Sequence, residues 1–180
     1  MTLLSSPSVV TAPGLQDVQH IIYPRSIVIV GASADPRSFG GFVQGNLERF
    51  GYSGALHLVS RSSDDINGRP CVKTIDALPE DIDLAVLAIP ETGVLDAVKA
   101  LAARRCKAAV LFASGYAEAG EEGQHKQAEL ARVAQEAGIL LVGPNCMGFT
   151  NLAAGIPVTF EPLTARAPET RPGVGVVAQS

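Results

Sequence analysis

The chain has 180 residues, of which 47% are hydrophobic and 18% charged, and its formal net charge is −4. This length allows one domain to bury its own core without disulfides or metal ions. The lysines and arginines are scattered along the chain, which argues against a nucleic-acid partner because such partners need a clustered basic face. Only 5% of the residues are aromatic and tryptophan is absent, so the core must consist mainly of Val, Leu, Ile and Ala.

The first residues predict neither a secretion signal nor a membrane span. Residues 1–14 are rich in Ser, Pro and Thr, and their apolar run stops at Ser5 with no basic residue before Leu3 and Leu4. This pattern does not fit a signal peptide, and no apolar stretch of the sequence is long enough to cross a bilayer. We therefore predict a flexible leader over residues 1–20.

The cysteines indicate a reducing compartment. Cys71, Cys106 and Cys146 are an odd number at wide spacing, which is neither a disulfide framework nor a zinc pattern. Together with the missing signal peptide, they predict a cytoplasmic protein.

From residue 26 onward, short apolar runs alternate with helical patterns. The runs predict strands buried on both faces of a sheet, at residues 26–31, 56–60, 84–89, 108–112 and 139–142. Helices are predicted at residues 40–50, from the N-cap Thr92 to Ala102, and at 121–136 before Gly138. Strands joined by helix-length connections predict a doubly wound parallel α/β sheet, and we place this domain at residues 21–153.

Two stretches lack this regularity. Residues 61–80 are polar and irregular and contain the turn signal Asn67-Gly68. Residues 154–173 are punctuated by prolines and are predicted to be a linker. Residues 174–178 (VGVVA) repeat the buried-strand pattern and are interpreted as the first strand of a second domain, which begins at 174. The alternative is a last strand added to the first sheet.

The segments after the predicted strands favour a phosphate-bearing ligand. Parallel sheets bind ligands at the carboxyl ends of their strands, and small or Gly-bearing turns before a helix allow close approach to a phosphate. Tight turns are also small for steric reasons alone. A site is therefore predicted from the five strand-end segments together, and not from any one of them. The first loop, residues 31–40 (GASADPRSFG), is not GxGxxG, and the second strand ends in Ser60-Arg61 instead of an acidic residue. Arg61 favours a phosphate on the ribose, hence coenzyme A (CoA) or NADP instead of NAD.

Several motifs, in order along the chain, resemble one family. They are residues 23–33 (YPRSIVIVGAS), 83–90 (DLAVLAIP), 114–123 (SGYAEAGEEG), 143–148 (GPNCMG) and 175–180 (GVVAQS). This series resembles the Rossmann-like CoA-binding domain of the nucleoside-diphosphate-forming acyl-CoA synthetases, which include ADP-forming acetyl-CoA synthetase and the succinyl-CoA ligase alpha subunit. The last motif resembles the first strand of the family's next domain.

The resemblance implies which residues bind CoA. They are Gly31, Ala32, Ser33, Arg37 and Gly40 in the phosphate loop, Ser60 and Arg61 after the second strand, Ile89, Pro90, Ser114 and Gly115 beside the adenine and pantetheine, and Asn145 and Cys146 near the thiol. The proline that the family commonly has after its second strand is missing here. Cys146 is implied to position the ligand, without covalent chemistry, and Glu118 either braces a turn or contacts the ligand.

The resemblance also implies a reaction. An acid is joined to CoA while a nucleoside triphosphate becomes a diphosphate and phosphate, and the phosphoryl group travels on a histidine. That histidine belongs to the next domain, and His20, His57 and His125 do not match it. No catalytic residue is therefore expected here. The expected ligand is CoA or acyl-CoA, and the expected partners are the remaining ligase domains or an ATP-grasp subunit, with a homo-oligomer as a further option and neither nucleic acid nor membrane.

Two other functions remain open at this point. One is a stand-alone CoA-binding or CoA-sensing protein without turnover, and the weaker one is a fragment of an NADP-dependent oxidoreductase. The resemblance names neither the acid nor whether ADP or GDP is formed.

Overall fold

The computed structural model describes residues 15–164 and 175–177. Its strands are β1 (Ser26–Val30), β2 (Ala55–Val59), β3 (Asp65–Ile66), β4 (Arg69–Val72), β5 (Leu84–Leu87), β6 (Ala108–Leu111), β7 (Leu140–Val142), β8 (Gly148–Asn151) and β9 (Ile156–Thr159). Its helices are α1 (Leu15–Ile22), α2 (Phe39–Arg49), α3 (Val94–Ala103) and α4 (Glu121–Ala137). Short 3₁₀ turns lie at Ile75–Ala77, Glu91–Gly93 and Ala117–Ala119.

The central sheet has seven strands in the order β3-β4-β2-β1-β5-β6-β7. All pairings in it are parallel except that of β3 with β4. The five predicted strands are β1, β2, β5, β6 and β7, and the predicted doubly wound α/β fold is confirmed. No helix in the part of the chain that the structure describes is long and apolar enough to cross a membrane.

The core lies on both faces of this sheet. Successive strand residues point to opposite faces, so Val28 and Leu87 pack with α3 and α4 on one side, while Ile29 and Val86 pack with α2 on the other. Because both faces are covered, β1, β5 and β6 are apolar and buried, apart from Ser26 at the start of β1. This two-sided burial is why continuous apolar runs, without alternation, predict these strands correctly.

Residues 61–80 contain more structure than their polarity predicts. β3 and β4 form a hairpin whose turn is Asn67-Gly68, with φ angles of 54° and 78°. Two positive φ angles are what a tight two-residue hairpin turn requires, so the predicted turn is confirmed. β4 then pairs in parallel with β2 over only two residues. It is not recognisable as a strand because Arg69 and Pro70 interrupt its apolar character.

Both ends of the predicted domain differ from the expectation. The leader was expected to be flexible to residue 20, whereas Leu15–Ile22 is a helix that buries Ile21 against the sheet; residues 1–14 lie outside the described part. The linker was expected from 154, whereas Ile156–Thr159 is a fully buried strand that pairs with β8. The proline within this strand, Pro157, has no N–H to donate. It is tolerated because each strand of a two-stranded sheet has a free edge, where an N–H needs no partner in the sheet.

The segment beyond β9 is held against α2. Asn46 is 2% exposed, and its Nδ2 donates to the carbonyls of Thr159 and Glu161 at 3.0 and 2.7 Å. Its Oδ1 accepts from the N–H of Leu163 at 3.2 Å. A buried amide on α2 therefore fixes the chain as far as residue 163.

The predicted strand at residues 174–178 is not seen in its described part. Residues 175–177 belong to no strand, and the side chains of Val176 and Val177 are 82% and 102% exposed; residues 174 and 178 lie outside the described part. An apolar run forms a strand only where another strand can take its hydrogen bonds, and residues 175–177 have none beside them. The alternative, a last strand on the central sheet, is likewise not formed by these residues.

Candidate functional site

The ends of β1, β2 and β5 meet where the sheet changes its direction of winding. β1 pairs with β2 on one side and with β5 on the other. The N–H groups of Gly31 and Ala32 both donate to the carbonyl of Val59, at 3.1 and 3.0 Å. Gly31 has a φ of +90°, and a Cβ added there would lie 2.3 Å from the carbonyl oxygen of Ala88. Ligands of open α/β sheets bind at such switch points.

A cleft of about 770 Å³, which we call the first cleft, opens at this point. It is bounded by the ends of the three strands, the segment after β4 and the start of α3. Its volume lies within the range of small-molecule sites. Six of the predicted residues line it, namely Gly31, Ala32, Ser60, Arg61, Ile89 and Pro90.

The first cleft contains a positive charge without a counter-ion. Arg61 is exposed, and no acidic group of the described residues forms an ion pair with it. By contrast, Lys73 at the same cleft has its Nζ 2.7 Å from Asp64 Oδ1. Ser60 is buried, and its Oγ accepts the N–H of Ser63 at 3.3 Å, which holds the turn that presents Arg61. The cleft therefore favours an anionic group near Arg61.

A second cleft of about 510 Å³ lies beside the first. The two share the lining residues Ala88, Ile89 and Pro90 at the end of β5. Of the predicted residues, Ser114 and Asn145 line the second cleft in addition. The predicted site is thus divided between two adjoining clefts that a long ligand can occupy together.

The start of α2 lies against the end of β1. Ser38 caps the helix by accepting the N–H of Gly41 on its Oγ at 3.0 Å. The N–H groups of Phe39 and Gly40 have no hydrogen-bond partner among the described residues. A Cβ on Gly40 would lie 2.4 Å from the carbonyl oxygen of Gly31, so only glycine allows this approach. The predicted residue Gly40 therefore brings the positive end of a helix beside the switch point.

Other predicted residues line neither cleft. Ser33 Oγ accepts the N–H of Asp35 at 3.1 Å, and Arg37 places its Nε 3.3 Å from Asp35 Oδ1. The N–H of Gly115 donates to Glu118 Oε1 at 2.7 Å. Glu118 therefore braces a turn, the first of its two predicted roles. These contacts shape the loops, and the part that Ser33, Arg37 and Gly115 play in binding stays a prediction.

Cys146 lies behind the second cleft. Its thiol donates to the carbonyls of Leu111 and Val142, with Sγ–O distances of 3.4 and 3.6 Å. Burial raises the pKa of this thiol. Burial also raises the pKa of Cys106, to about 11. The three cysteines are free, and a protonated thiol is a poor nucleophile. The thiol of Cys146 thus faces carbonyls of the protein and lines neither cleft, and its positioning role in CoA binding stays a prediction.

We expect the thiols of Cys106 and Cys146 to resist alkylation in the native protein. Since the thiolate is the reactive form, iodoacetamide at pH 7.5 should label them at least about tenfold more slowly than the unfolded chain. Mass spectrometry of peptides after timed quenching measures each site, and labelling in urea is the control. Fast labelling of native Cys146 would contradict its placement.

Several lining residues were not predicted. The segment after β4 contributes Lys73, Thr74 and Asp76, and the start of α3 contributes Thr92 and Asp96. The first group was missed because β4 was not recognised as a strand, although its end is as polar as the others. Thr92 was expected to be an N-cap, but it lies within the turn Glu91–Gly93 and α3 begins at Val94.

Known proteins resemble this chain over most of its length. The sequence profile of a family described as a CoA binding domain matches residues 25–151. A trans-feruloyl-CoA synthase from an unknown prokaryotic organism is 39% identical over 167 residues, which are 92% of this chain and 24% of that protein. An ADP-forming acetate–CoA ligase I from Archaeoglobus fulgidus is 34% identical over 143 residues, 79% of this chain and 21% of that protein.

A solved structure gives the same picture. The dinucleotide forming acetyl-coenzyme A synthetase 1 of Ca. Korarchaeum cryptofilum, in complex with phosphate and ADP, has a TM-score of 0.77 and 30% sequence identity over 82% of this chain and 32% of that chain. The chain thus spans about a quarter of the length of the two curated relatives. The predicted fold class and family resemblance are both confirmed.

Proposed function

Because the chain belongs to the family of CoA-binding domains, we propose that it is the part of a nucleoside-diphosphate-forming acid–CoA ligase that holds CoA. The observation that carries this proposal is the convergence of Gly31, Arg61 and Pro90, from three adjacent strand ends, on one cleft at the switch point. Switch-point clefts are the usual ligand sites of such sheets.

We assign the nucleotide end of CoA to the first cleft. Arg61 is its cation without an ion-pair partner, and a guanidinium binds a phosphate monoester well. The N–H groups of Gly31 and Ala32 are already bound to Val59. The positive end of α2 beside them therefore supplies the favourable field for the diphosphate. Ile89 and Pro90 form the wall along which the apolar pantetheine arm runs to the second cleft.

The rest of the reaction is assigned to the domains or the subunit that complete such a ligase. There, the nucleoside triphosphate is consumed and a histidine carries the phosphoryl group. The role of this chain is to hold CoA with its thiol directed toward that chemistry. The named relatives act on an aromatic acid and on acetate, so family membership does not specify the acid.

Arg61→Ala tests the assigned position of the ribose phosphate. We expect the Kd for CoA to rise about 5- to 20-fold, since a charge-assisted hydrogen bond contributes roughly 1.5–3 kcal/mol and this one is partly exposed to solvent. The Kd for dephospho-CoA, which lacks the 3′-phosphate, should change by less than about twofold. Isothermal titration calorimetry measures both constants.

Arg132→Ala is the matched control, because Arg132 is an exposed arginine on α4 that pairs with Glu136. It should leave both dissociation constants unchanged. If Arg61→Ala weakened the binding of CoA and of dephospho-CoA equally, Arg61 would not be the residue that binds the ribose phosphate. The proposed function itself would be overturned by two results together: CoA gives no binding heat, and NADP raises the melting temperature of the protein.

A further inference from the structure

Three of the six phenylalanines of the chain meet at the second cleft. The rings of Phe39 and Phe160 are stacked, with centroids 4.5 Å apart and an angle of 23° between their planes. Phe112 meets Phe160 edge-on at 5.0 Å and Phe39 edge-on at 6.1 Å. We name these three residues the aromatic cluster. In a chain with 5% aromatic residues, this is a marked local concentration.

Only part of the aromatic cluster is buried in the hydrophobic core. Phe112 is 5% exposed, but Phe39 is 47% exposed, and Phe160 is half-buried. Exposed apolar surface of this kind marks binding sites more often than isolated apolar residues do. Phe39 and Phe160 both line the second cleft.

Phe160 is held in place from both sides. The buried Asn46 donates to the carbonyl of Thr159 and to that of Glu161, which are the neighbours of Phe160 in the chain. Phe39 is the first residue of α2, next to the helix cap Ser38. Because both backbones are anchored, the rings do not have to be ordered when a ligand arrives, which lowers the entropic cost of binding.

The aromatic cluster is continuous with the proposed CoA site. The second cleft shares Ala88, Ile89 and Pro90 with the first, so a ligand that passes over Pro90 reaches the aromatic rings. Ser114 and Asn145 stand at the same cleft and provide a hydroxyl and an amide. An apolar aromatic wall with a few polar groups is the usual composition of a small-molecule site.

From this arrangement we propose that the aromatic cluster binds an aromatic acyl group on CoA and so selects aromatic over short aliphatic acids. The inference rests on the proposed function, because the acyl group reaches the cluster only when CoA occupies the first cleft. A planar aryl ring gains stacked and edge-on contacts with Phe39 and Phe160 that an acetyl group is too small to make. Ser114 and Asn145 are suitably placed to hydrogen-bond the polar substituents or the thioester carbonyl.

The test compares the affinities of three ligands. Calorimetry on the 180-residue chain should show that cinnamoyl-CoA binds about 5- to 10-fold more tightly than acetyl-CoA, since aromatic pairs contribute roughly 0.5–1.5 kcal/mol, and that CoA binds about as tightly as acetyl-CoA. In Phe39→Ala, the ratio of the two Kd values should fall below about twofold. Phe39→Leu should give an intermediate ratio, since it keeps the apolar area and loses the ring. Tyr23→Ala removes another exposed aromatic side chain, which is 58% exposed and lies outside both clefts, and it should keep the native ratio.

The outcomes separate the two proposals. If none of the three ligands binds, the proposed function fails. If CoA and acetyl-CoA bind but cinnamoyl-CoA binds no more tightly, the proposed function stands and the aromatic cluster is not an acyl site; it is then a packing surface for another part of the protein. If Phe39→Ala weakens all three ligands equally, Phe39 acts on CoA itself and the inference is overturned.

Discussion

Gly31→Ala is expected to weaken CoA binding by at least about tenfold and to destabilise the fold by roughly 2–4 kcal/mol. The added Cβ would lie 2.3 Å from the carbonyl oxygen of Ala88 and 2.8 Å from Cγ2 of Ile89, at a φ of +90°. Both the steric conflict and the unfavourable φ must be relieved by moving the end of β1 away from β5. The same movement displaces the wall that the two clefts share, so stability and binding should fall together.

Gly45→Ala is the matched control for this substitution. Gly45 lies within α2, and a Cβ there would have no atom within 4 Å apart from its immediate surroundings in the helix. Alanine in a helix interior is favoured over glycine by up to about 1 kcal/mol. We expect an unchanged Kd for CoA and equal or higher stability. Thermal unfolding and calorimetry measure both, and a Gly31→Ala protein with native stability and affinity would contradict the described switch point.

Asp83→Asn is expected to lower the free energy of unfolding by about 2–3 kcal/mol at pH 7. The Asp83 side chain is 3% exposed, with Oδ1 2.9 Å from Nδ1 of His20. Its Oδ2 accepts the N–H of Arg25 at 2.8 Å and Nε of Arg25 at 3.3 Å. The carboxylate thus ties α1 and the start of β1 to β5, at the end of the sheet opposite the clefts. An amide cannot accept all of these bonds, so at least one donor of His20 or Arg25 would lose its partner on a buried side chain. Urea unfolding followed by circular dichroism measures the change.

The contribution of Asp83 to the free energy of unfolding should disappear in acid. Burial alone would raise the pKa of Asp83, but the hydrogen bonds from Arg25 and His20 outweigh it and hold the pKa below its ordinary value. A lowered folded-state pKa stabilises the protein above the unfolded-state pKa of about 3.9, and this stabilisation is lost as the pH falls through the folded-state value. The difference in the free energy of unfolding between the native protein and Asp83→Asn should therefore shrink as the pH falls below about 4.

Glu136→Gln is the control for Asp83→Asn. Glu136 is exposed and pairs with Arg132 on the same helix at 2.8 Å, and exposed pairs of this kind contribute little. It should leave stability unchanged at every pH. Equal effects of Asp83→Asn and Glu136→Gln would show that the buried carboxylate does not hold α1 in place. Unchanged CoA binding in a folded Asp83→Asn protein is expected, since Asp83 lines neither cleft.

Some elements could be predicted and others could not, for identifiable reasons. β1, β5 and β6 are apolar runs because both faces of the sheet are covered, and such runs are visible in the sequence. β4 is short and contains Arg69 and Pro70, and it exists because β2 offers a free edge. β9 is stabilised by β8 and by Asn46, a residue 113 positions away from Thr159. Contacts between distant residues leave no local pattern.

The candidate site shows the same division. Gly31, Arg61 and Pro90 were predicted because each follows a recognisable strand, and the structure brings them together. Cys146 follows a strand as well, but its thiol turns inward to carbonyls of β6 and β7. Phe39 and Phe160 were not predicted, because their rings meet only through the folding of residues 156–163 onto α2.

By itself, the sequence determined the type and order of the main elements, the family, and which turns are small enough for a phosphate ligand. It could do so because periodicity, glycine and cap residues act within a few positions of the chain. Only the tertiary structure decided which strand ends are neighbours, which side chains face a cleft and which lie behind it, and that an aromatic cluster completes the second cleft. These properties depend on strand order, on the direction of each side chain from the sheet and on burial by distant segments, and none of them is a local property of the chain.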